Sequence, residues 1–310
     1  MKKVLVYGFY YKNNIGDQLF IDALHKLFPH IHFVFTDHIE RQHLLGVDAL
    51  FFGGGSFLDT KPLISDDAIN AIKLMPSFYI GVGSETDIHP FHLELIKAAK
   101  LVAIRSVIKK EVFYSLNTNT IVIPDLVYSL SDCVIQSDRH SKSILILPNV
   151  SVVPQYFTSH WEHVFWEKFK IEFAQFLDIL IDDRYSINLF GMCRDNELND
   201  NFASAEIINK MRHRSSKYIT DCEKDIASLT KLFSSYTNII TQRYHGTILS
   251  NMCKTPCLTI HHHDKLMHNA SISYFEITKQ KLIDAFYACT YNDIYVGDFA
   301  ELVKKMNELL

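Results

Sequence analysis

The chain reads as an α/β protein built on parallel, doubly wound sheets, and three features of its 310 residues say so. Short apolar, β-branched runs alternate with helix-periodic stretches along the whole chain, the spacing of strand–helix–strand units. Several of those runs end in glycine-bearing turns, which a parallel sheet gathers along one edge. A composition 48% hydrophobic and 21% charged is ordinary for a globular chain, and 310 residues suit two cores better than one.

In the first half, strands are expected at 4–7, 31–35, 49–52, 78–82, 101–104 and 120–123, with helices at 17–28, 66–75, 90–100 and 107–116. After the first strand, Asn13-Asn14-Ile15-Gly16-Asp17 opens a helix with Asp17 at or near its cap. After the third comes Gly53-Gly54-Gly55-Ser56, and after the fourth Gly81-Val82-Gly83-Ser84. Each is by itself a tight turn; together on one edge they point to a place where backbone approaches a ligand. None has the later glycine or the lysine of a dinucleotide fingerprint or phosphate loop. Arg105 closes the fifth strand at that edge and is expected to bind an anion. Pro124-Asp125 ends the sixth strand, and the polar stretch 138–143 is the expected linker between domains at 1–138 and 139–310.

The second half repeats the alternation, with strands at 143–147, 186–190, 238–241 and 257–260. Trp161, Phe165, Phe169, Phe173, Phe176 and Leu180 stand mostly three or four apart on a helix at 161–181, a stripe expected in the core. Further helices are expected at 221–235, capped by Asp221, and at 278–287 and 298–310. The most informative stretch is Gln242-Arg243-Tyr244-His245-Gly246-Thr247, between a strand and a helix that ends before Pro256. Arg243 can fork onto a phosphate or carboxylate, His245 can move a proton near neutral pH, and a helix amino end favours an anion. Spacing alone leaves a plainer alternative open: a capped helix with a surface arginine and a half-buried histidine. His261, His262 and His263 follow the 257–260 strand, just before Asp264 and Lys265. Consecutive residues of an extended chain point apart, and helical ligand spacing is missing, so no metal is expected; Lys265 or one histidine touching a ligand is.

A formal net charge of −4 excludes a nucleic-acid binder that relies on bulk positive charge. The apolar run after Met1-Lys2-Lys3 is too short for a signal peptide, and no stretch approaches the ~20 apolar residues of a membrane span. Six scattered cysteines without a C-x-x-C pair suit a reducing compartment. The expectation is a cytoplasmic protein with no transmembrane segment, making at most peripheral membrane contact.

In order along the chain, Asn14-Ile15-Gly16-Asp17, Gly53-Gly54-Gly55-Ser56, Gly81-Val82-Gly83, Arg105-Ser106, Pro124-Asp125-Leu126 and Arg243-Tyr244-His245-Gly246 followed by Asp264-Lys265 resemble the polysaccharide pyruvyl transferases. Two departures are Asn13, where relatives usually carry glycine, and the adjacency of Asp264 and Lys265, which relatives often separate. The resemblance implies two Rossmann-like domains facing across a cleft, as in GT-B glycosyltransferases. It also implies transfer of the enolpyruvyl unit of phosphoenolpyruvate to two hydroxyls of a sugar, free, lipid-linked or nucleotide-linked, without metal or organic cofactor. On this expectation His245 is the acid and Asp17 orients or deprotonates the acceptor hydroxyl, unless it only caps its helix. Arg105, Arg243, Tyr244, Gly246, Asn14, Gly16, Gly54, Gly55, Ser56, Gly83 and Lys265 would bind substrate. A nucleotide-sugar glycosyltransferase and a non-catalytic sugar-phosphate binder are the rival readings.

Overall fold

Strand-forming runs buried on both faces need cover on both, and the chain supplies it by alternating them with helices. The computed structural model describes the chain except residues 56, 85–86, 106–108, 151–159, 196–198, 215–216, 220–221, 263–270 and 291–297; at 160–162 and 217–219 it describes backbone alone. The first half runs β1 (Lys2–Tyr7), α1 (Ile15–Leu27), β2 (Ile31–Thr36), β3 (Ala49–Gly55), α2 (Asp66–Leu74), β4 (Ser77–Val82), α3 (Pro90–Ala98), β5 (Leu101–Ile104), α4 (Lys110–Leu116) and β6 (Thr120–Val122). Its sheet has the order β2-β1-β3-β4-β5-β6, all parallel. The winding reverses between β1 and β3. At Gly81, whose φ is +66°, the β4–β5 register shifts.

The second half runs β7 (Ser143–Leu147), α5 (His160–Asp182), β8 (Ser186–Phe190), α6 (Asp200–Lys210), β9 (Lys217–Ile219), α7 (Ile226–Ser234), β10 (Asn238–Thr241), α8 (Tyr244–Met252), β11 (Cys257–His261), β12 (Ser271–Ser273) and α9 (Lys279–Ala288). The sheet order β12-β11-β10-β7-β8-β9, again all parallel, is the dinucleotide-fold order, reversing between β7 and β10. Phe169, Phe173, Phe176 and Leu180 of α5 are buried against Ile144, Ile146 and Ile240, so this part of the aromatic stripe is core, while the Trp161 side chain lies outside the described residues. Trp166 joins it, while Phe165 is partly buried.

By its contacts the chain forms two units that depart from the expected 1–138 and 139–310. The first holds Met1–Asn13, Asp17–Asp132 and Tyr295–Leu310, including the last helix, α10 (Ala300–Leu309). That helix returns to the amino-terminal sheet, where Lys305 Nζ donates to Asn119 Oδ1 at 3.1 Å. The second holds Asn14–Gly16 and Cys133–Ile294.

The structure also corrects element boundaries. The helix expected at 221–235 begins at Ile226, where Asp225 accepts the Ser228 N–H at 2.9 Å; Asp221 lies outside the described residues. α1 begins at Ile15, two residues before the expected start, so Asp17 sits in its first turn, near the cap as expected. Unforeseen are α6, β9 and β12, the last two only three residues long. Among the described residues no helix is long and apolar enough to cross a membrane.

One buried group makes the first unit pH-sensitive. His92 of α3 is fully buried, with Tyr79 Oη 3.1 Å from its Nδ1. Burial, helped by the charge of His89, pushes its pKa down from 6.5 to about 4. A histidine with a depressed folded-state pKa stabilises fully above pH 6.5, and that stability is lost as pH falls toward 4, because the unfolded chain takes the proton first. The loss is at most about 3 kcal/mol. Denaturant unfolding at pH 7, 5.5 and 4 should show this decline in the parent and a flatter one in His92→Gln; equal slopes would remove His92 as the cause.

Candidate active site

The turn from β10 into α8 is shaped by its own small polar residues. The Thr241 hydroxyl accepts the Arg243 N–H at 2.9 Å and donates to the Arg243 carbonyl at 3.1 Å, closing the chain on itself where the strand ends. Arg243 is the residue preceding α8, and the Thr247 N–H is bonded to its carbonyl at 3.2 Å. Gly246 is required for packing: a β-carbon there would overlap Thr241 Oγ1 and fall 2.6 Å from Leu147 Cδ1. The missing side chain lets α8 lie directly on β7 and β10, with its amino end at the edge where the sheet's winding reverses.

Arg243 is held by a residue that the sequence reading did not single out. Its Nε donates to Asp200 Oδ2 at 3.0 Å and its Nη2 to Asp200 Oδ1. Asp200, at the start of α6, is fully buried, and the Arg243 side chain is 18% exposed. The same carboxylate accepts the backbone N–H of Val150 at 3.0 Å and of Cys193 at 2.8 Å. The fork that the sequence assigns to a substrate is therefore occupied by Asp200, and among the described residues nothing is bonded to Nη1. The signal for Asp200 was its place: Asn199-Asp200 opens the helix that follows β8, beyond a strand's carboxyl end.

Asn14, Ile15 and Gly16 are built into this same unit. The Ile15 N–H donates to the Met192 carbonyl at 2.9 Å, and Asn14 bridges Cys193 as a strand would. The Asn14 side chain accepts the Gly16 N–H at 3.1 Å. Gly16 then lies directly against the His245 ring, since a β-carbon on Gly16 would overlap Nδ1 and fall 2.7 Å from Cε1. Tyr244 meets the His245 ring edge-on, centroids 5.4 Å apart. At the ends of the neighbouring strands, Asn149 and His262 face each other, Nδ2 to Nε2 3.4 Å.

The other expected site residues belong to the first unit or lie outside the described residues. Arg105 donates to Asp125 at 2.8 Å, with side chains 6% and 1% exposed, a buried ion pair of the first unit. Gly54, with φ +80°, would bring a β-carbon 2.8 Å from Tyr10 Oη; the glycine there serves internal packing. Gly55, with φ +145°, has open space around that position apart from Phe57 at 3.8 Å. Gly83 and Asp17 are buried in the first unit. Ser56, His263 and Lys265 lie outside the described residues.

The family profile described as polysaccharide pyruvyl transferase matches residues 14–264. No curated protein matches. Among solved structures, S. aureus MnaA with UDP is similar at TM-score 0.63 and 14% identity, over 100% of this chain and 98% of that one. UDP-GlcNAc 2-epimerase of Methanocaldococcus jannaschii, in complex with UDP-GlcNAc and UDP, gives 0.59 and 13%, over 99% and 100%. UDP-N-acetylglucosamine 2-epimerase of Rickettsia bellii gives 0.59 and 12%, over 100% and 96%. At these identities the likeness shows the fold: two Rossmann-like α/β units of the GT-B-like kind.

Removing Asp200 leaves a largely buried guanidinium and two backbone N–H groups without their acceptor. Asp200→Ala should lower unfolding free energy by about 3–5 kcal/mol, the usual cost of breaking a buried pair from one side. Chemical denaturation of parent and variant measures it; a loss under about 1 kcal/mol would mean that the pair is not a structural centre.

Proposed function

Because the chain belongs to the polysaccharide pyruvyl transferase family, we propose that it transfers the enolpyruvyl unit of phosphoenolpyruvate to two hydroxyls of one sugar in a glycan or its precursor. The products are a cyclic pyruvate ketal and inorganic phosphate. One observation carries the reading: His245 is held against Gly16 beside an anion-favouring helix start, with Arg243 fixed two residues away.

The chemistry asks first for an anion site. Phosphoenolpyruvate presents a phosphate and a carboxylate, and Arg243 offers one of their oxygens its Nη1, oriented by the grip of Asp200 on the other side of the guanidinium. The amino end of α8 adds a favourable dipole. His245, protonated, delivers its proton to the methylene carbon, which becomes the methyl group and leaves an oxocarbenium-like centre at C2. One sugar hydroxyl adds to C2 and releases its proton. The bond from C2 to the phosphate oxygen breaks, and the second hydroxyl closes the ketal. Of the two hydroxyl protons, one replaces that spent by His245 and the other leaves with phosphate. Asp17 is the proposed acceptor of a hydroxyl proton. These residues handle charge and proton without metal, so turnover should persist in the presence of a chelator.

Separating binding from proton transfer tests the reading. Arg243→Lys keeps the charge but loses the fork, and should weaken phosphoenolpyruvate binding by roughly 1.5–3 kcal/mol per charge-assisted hydrogen bond lost. His245→Gln should bind nearly as the parent does while turnover falls roughly 100- to 10,000-fold. Gly16→Ala, which displaces the His245 ring, should follow His245→Gln rather than Arg243→Lys. Calorimetric titration and single-turnover phosphate release distinguish these outcomes. Parent-like turnover in His245→Gln would end its assignment as the acid, and nucleotide release from a nucleotide sugar in place of phosphate release would replace the proposed reaction.

A further inference from the structure

Gln242 stands between the two strands that flank the reversal of the second sheet. It follows β10, yet its N–H donates to the Leu147 carbonyl at the end of β7, at 2.9 Å. Its side-chain Oε1 accepts the N–H of Asn149, two residues further on, at 3.2 Å. A backbone N–H only donates, so this bond fixes which way the amide faces: oxygen toward Asn149, nitrogen away from it. Gln242 is 3% exposed, and among the described residues its Nε2 has no hydrogen-bond partner. Nearly every buried polar group in a folded protein has one, so a pinned, unmet donor needs an explanation.

Its surroundings say what kind of acceptor it lacks. Reversals of this type are where open parallel sheets bind ligands. The next residue leads into α8, a nine-residue helix whose amino end favours an anion. An NH₂ group at that place, with both hydrogens unspent, matches an oxyanion. We propose that Nε2 of Gln242 donates to a carboxylate or phosphate oxygen of the bound donor substrate. The inference rests on the phosphoenolpyruvate reading only for which molecule carries that oxygen.

Two variants of the full chain test it. Gln242→Met keeps the length and removes the donor; Gln242→Glu keeps an acceptor for Asn149 but sets a negative charge against the ligand. Phosphoenolpyruvate, inorganic phosphate, pyruvate and UDP-GlcNAc are titrated into parent and variants by calorimetry, with thermal melts to verify folding. The Kd for phosphoenolpyruvate should rise about 10-fold in Gln242→Met and about 100-fold in Gln242→Glu. For Gln242→Glu the ratio to the parent should shrink as pH falls and the carboxyl gains a proton to donate, a trend that loss of packing would not give. A larger effect on inorganic phosphate or on pyruvate identifies the group received. If the parent binds UDP-GlcNAc but not phosphoenolpyruvate, and the variants weaken that binding, the proposed reaction fails while the role of Gln242 stands. Folded variants that bind every one of these ligands as the parent does would overturn the inference and leave the proposed reaction untouched.

Discussion

The buried carboxylate of Asp200 is the constraint on which the second unit's site depends. Taking a carboxylate out of water costs several kcal/mol unless its oxygens are filled. Here all four contacts come from the protein: Val150 N, Cys193 N, and Nε and Nη2 of Arg243. Those partners come from the loops after β7, β8 and β10. One side chain thus sets the relative positions of three strand ends that the sheet hydrogen bonds alone leave adjustable. The consequence runs on to His245. Cys193, fixed by Asp200, receives Asn14; Ile15 is bonded to Met192; and Gly16 lands on the His245 ring, two residues from the arginine where the path began. The closed path sets glycine backbone against the imidazole, whose ring also meets that of Tyr244.

Glycine works here mainly by subtraction. At Gly16 and Gly246 the missing β-carbon admits a histidine ring and a whole helix, and both close approaches shape the candidate site. At Gly54 and Gly81 the backbone is left-handed and the missing β-carbons make room for Tyr10 and Phe20 in the first unit's interior. Glycines at the ends of strands and starts of helices therefore mark different things: some admit groups of the candidate site, others admit core.

The same contrast explains what the sequence could reveal. Strands at 101–104, 143–147, 186–190 and 238–241 match the observed bounds because local apolar runs fix them. The turn carrying Arg243 and His245 was legible because an anion-binding and a proton-moving residue type stand together between a strand and the amino end of a helix. Asp200 was not, since its partner is 43 residues away and no periodicity links them. The docking of Asn14–Gly16 onto the second unit was hidden for the same reason. Strands β9 and β12 carry too few residues for any period to register. Asp225 displaced Asp221 as a cap because both precede an apolar run, and only the helix's actual start distinguishes them.

Electrostatics at the turn follows from the Asp200–Arg243 pair. Beside a buried carboxylate the guanidinium contributes little net charge, so attraction for an anion cannot rest on charge alone. What remains is directional: the outer edge of a guanidinium held from behind, and the amino end of α8 lying on two strands. Donors fixed before the ligand arrives need little rearrangement when charge moves during the reaction, which is where such preorganisation contributes most. A loose lysine could supply the same formal charge at the surface without that orientation. The overall charge of −4 is thus compatible with an anionic substrate, because the recognition that this unit offers is local and geometric rather than a property of the whole surface.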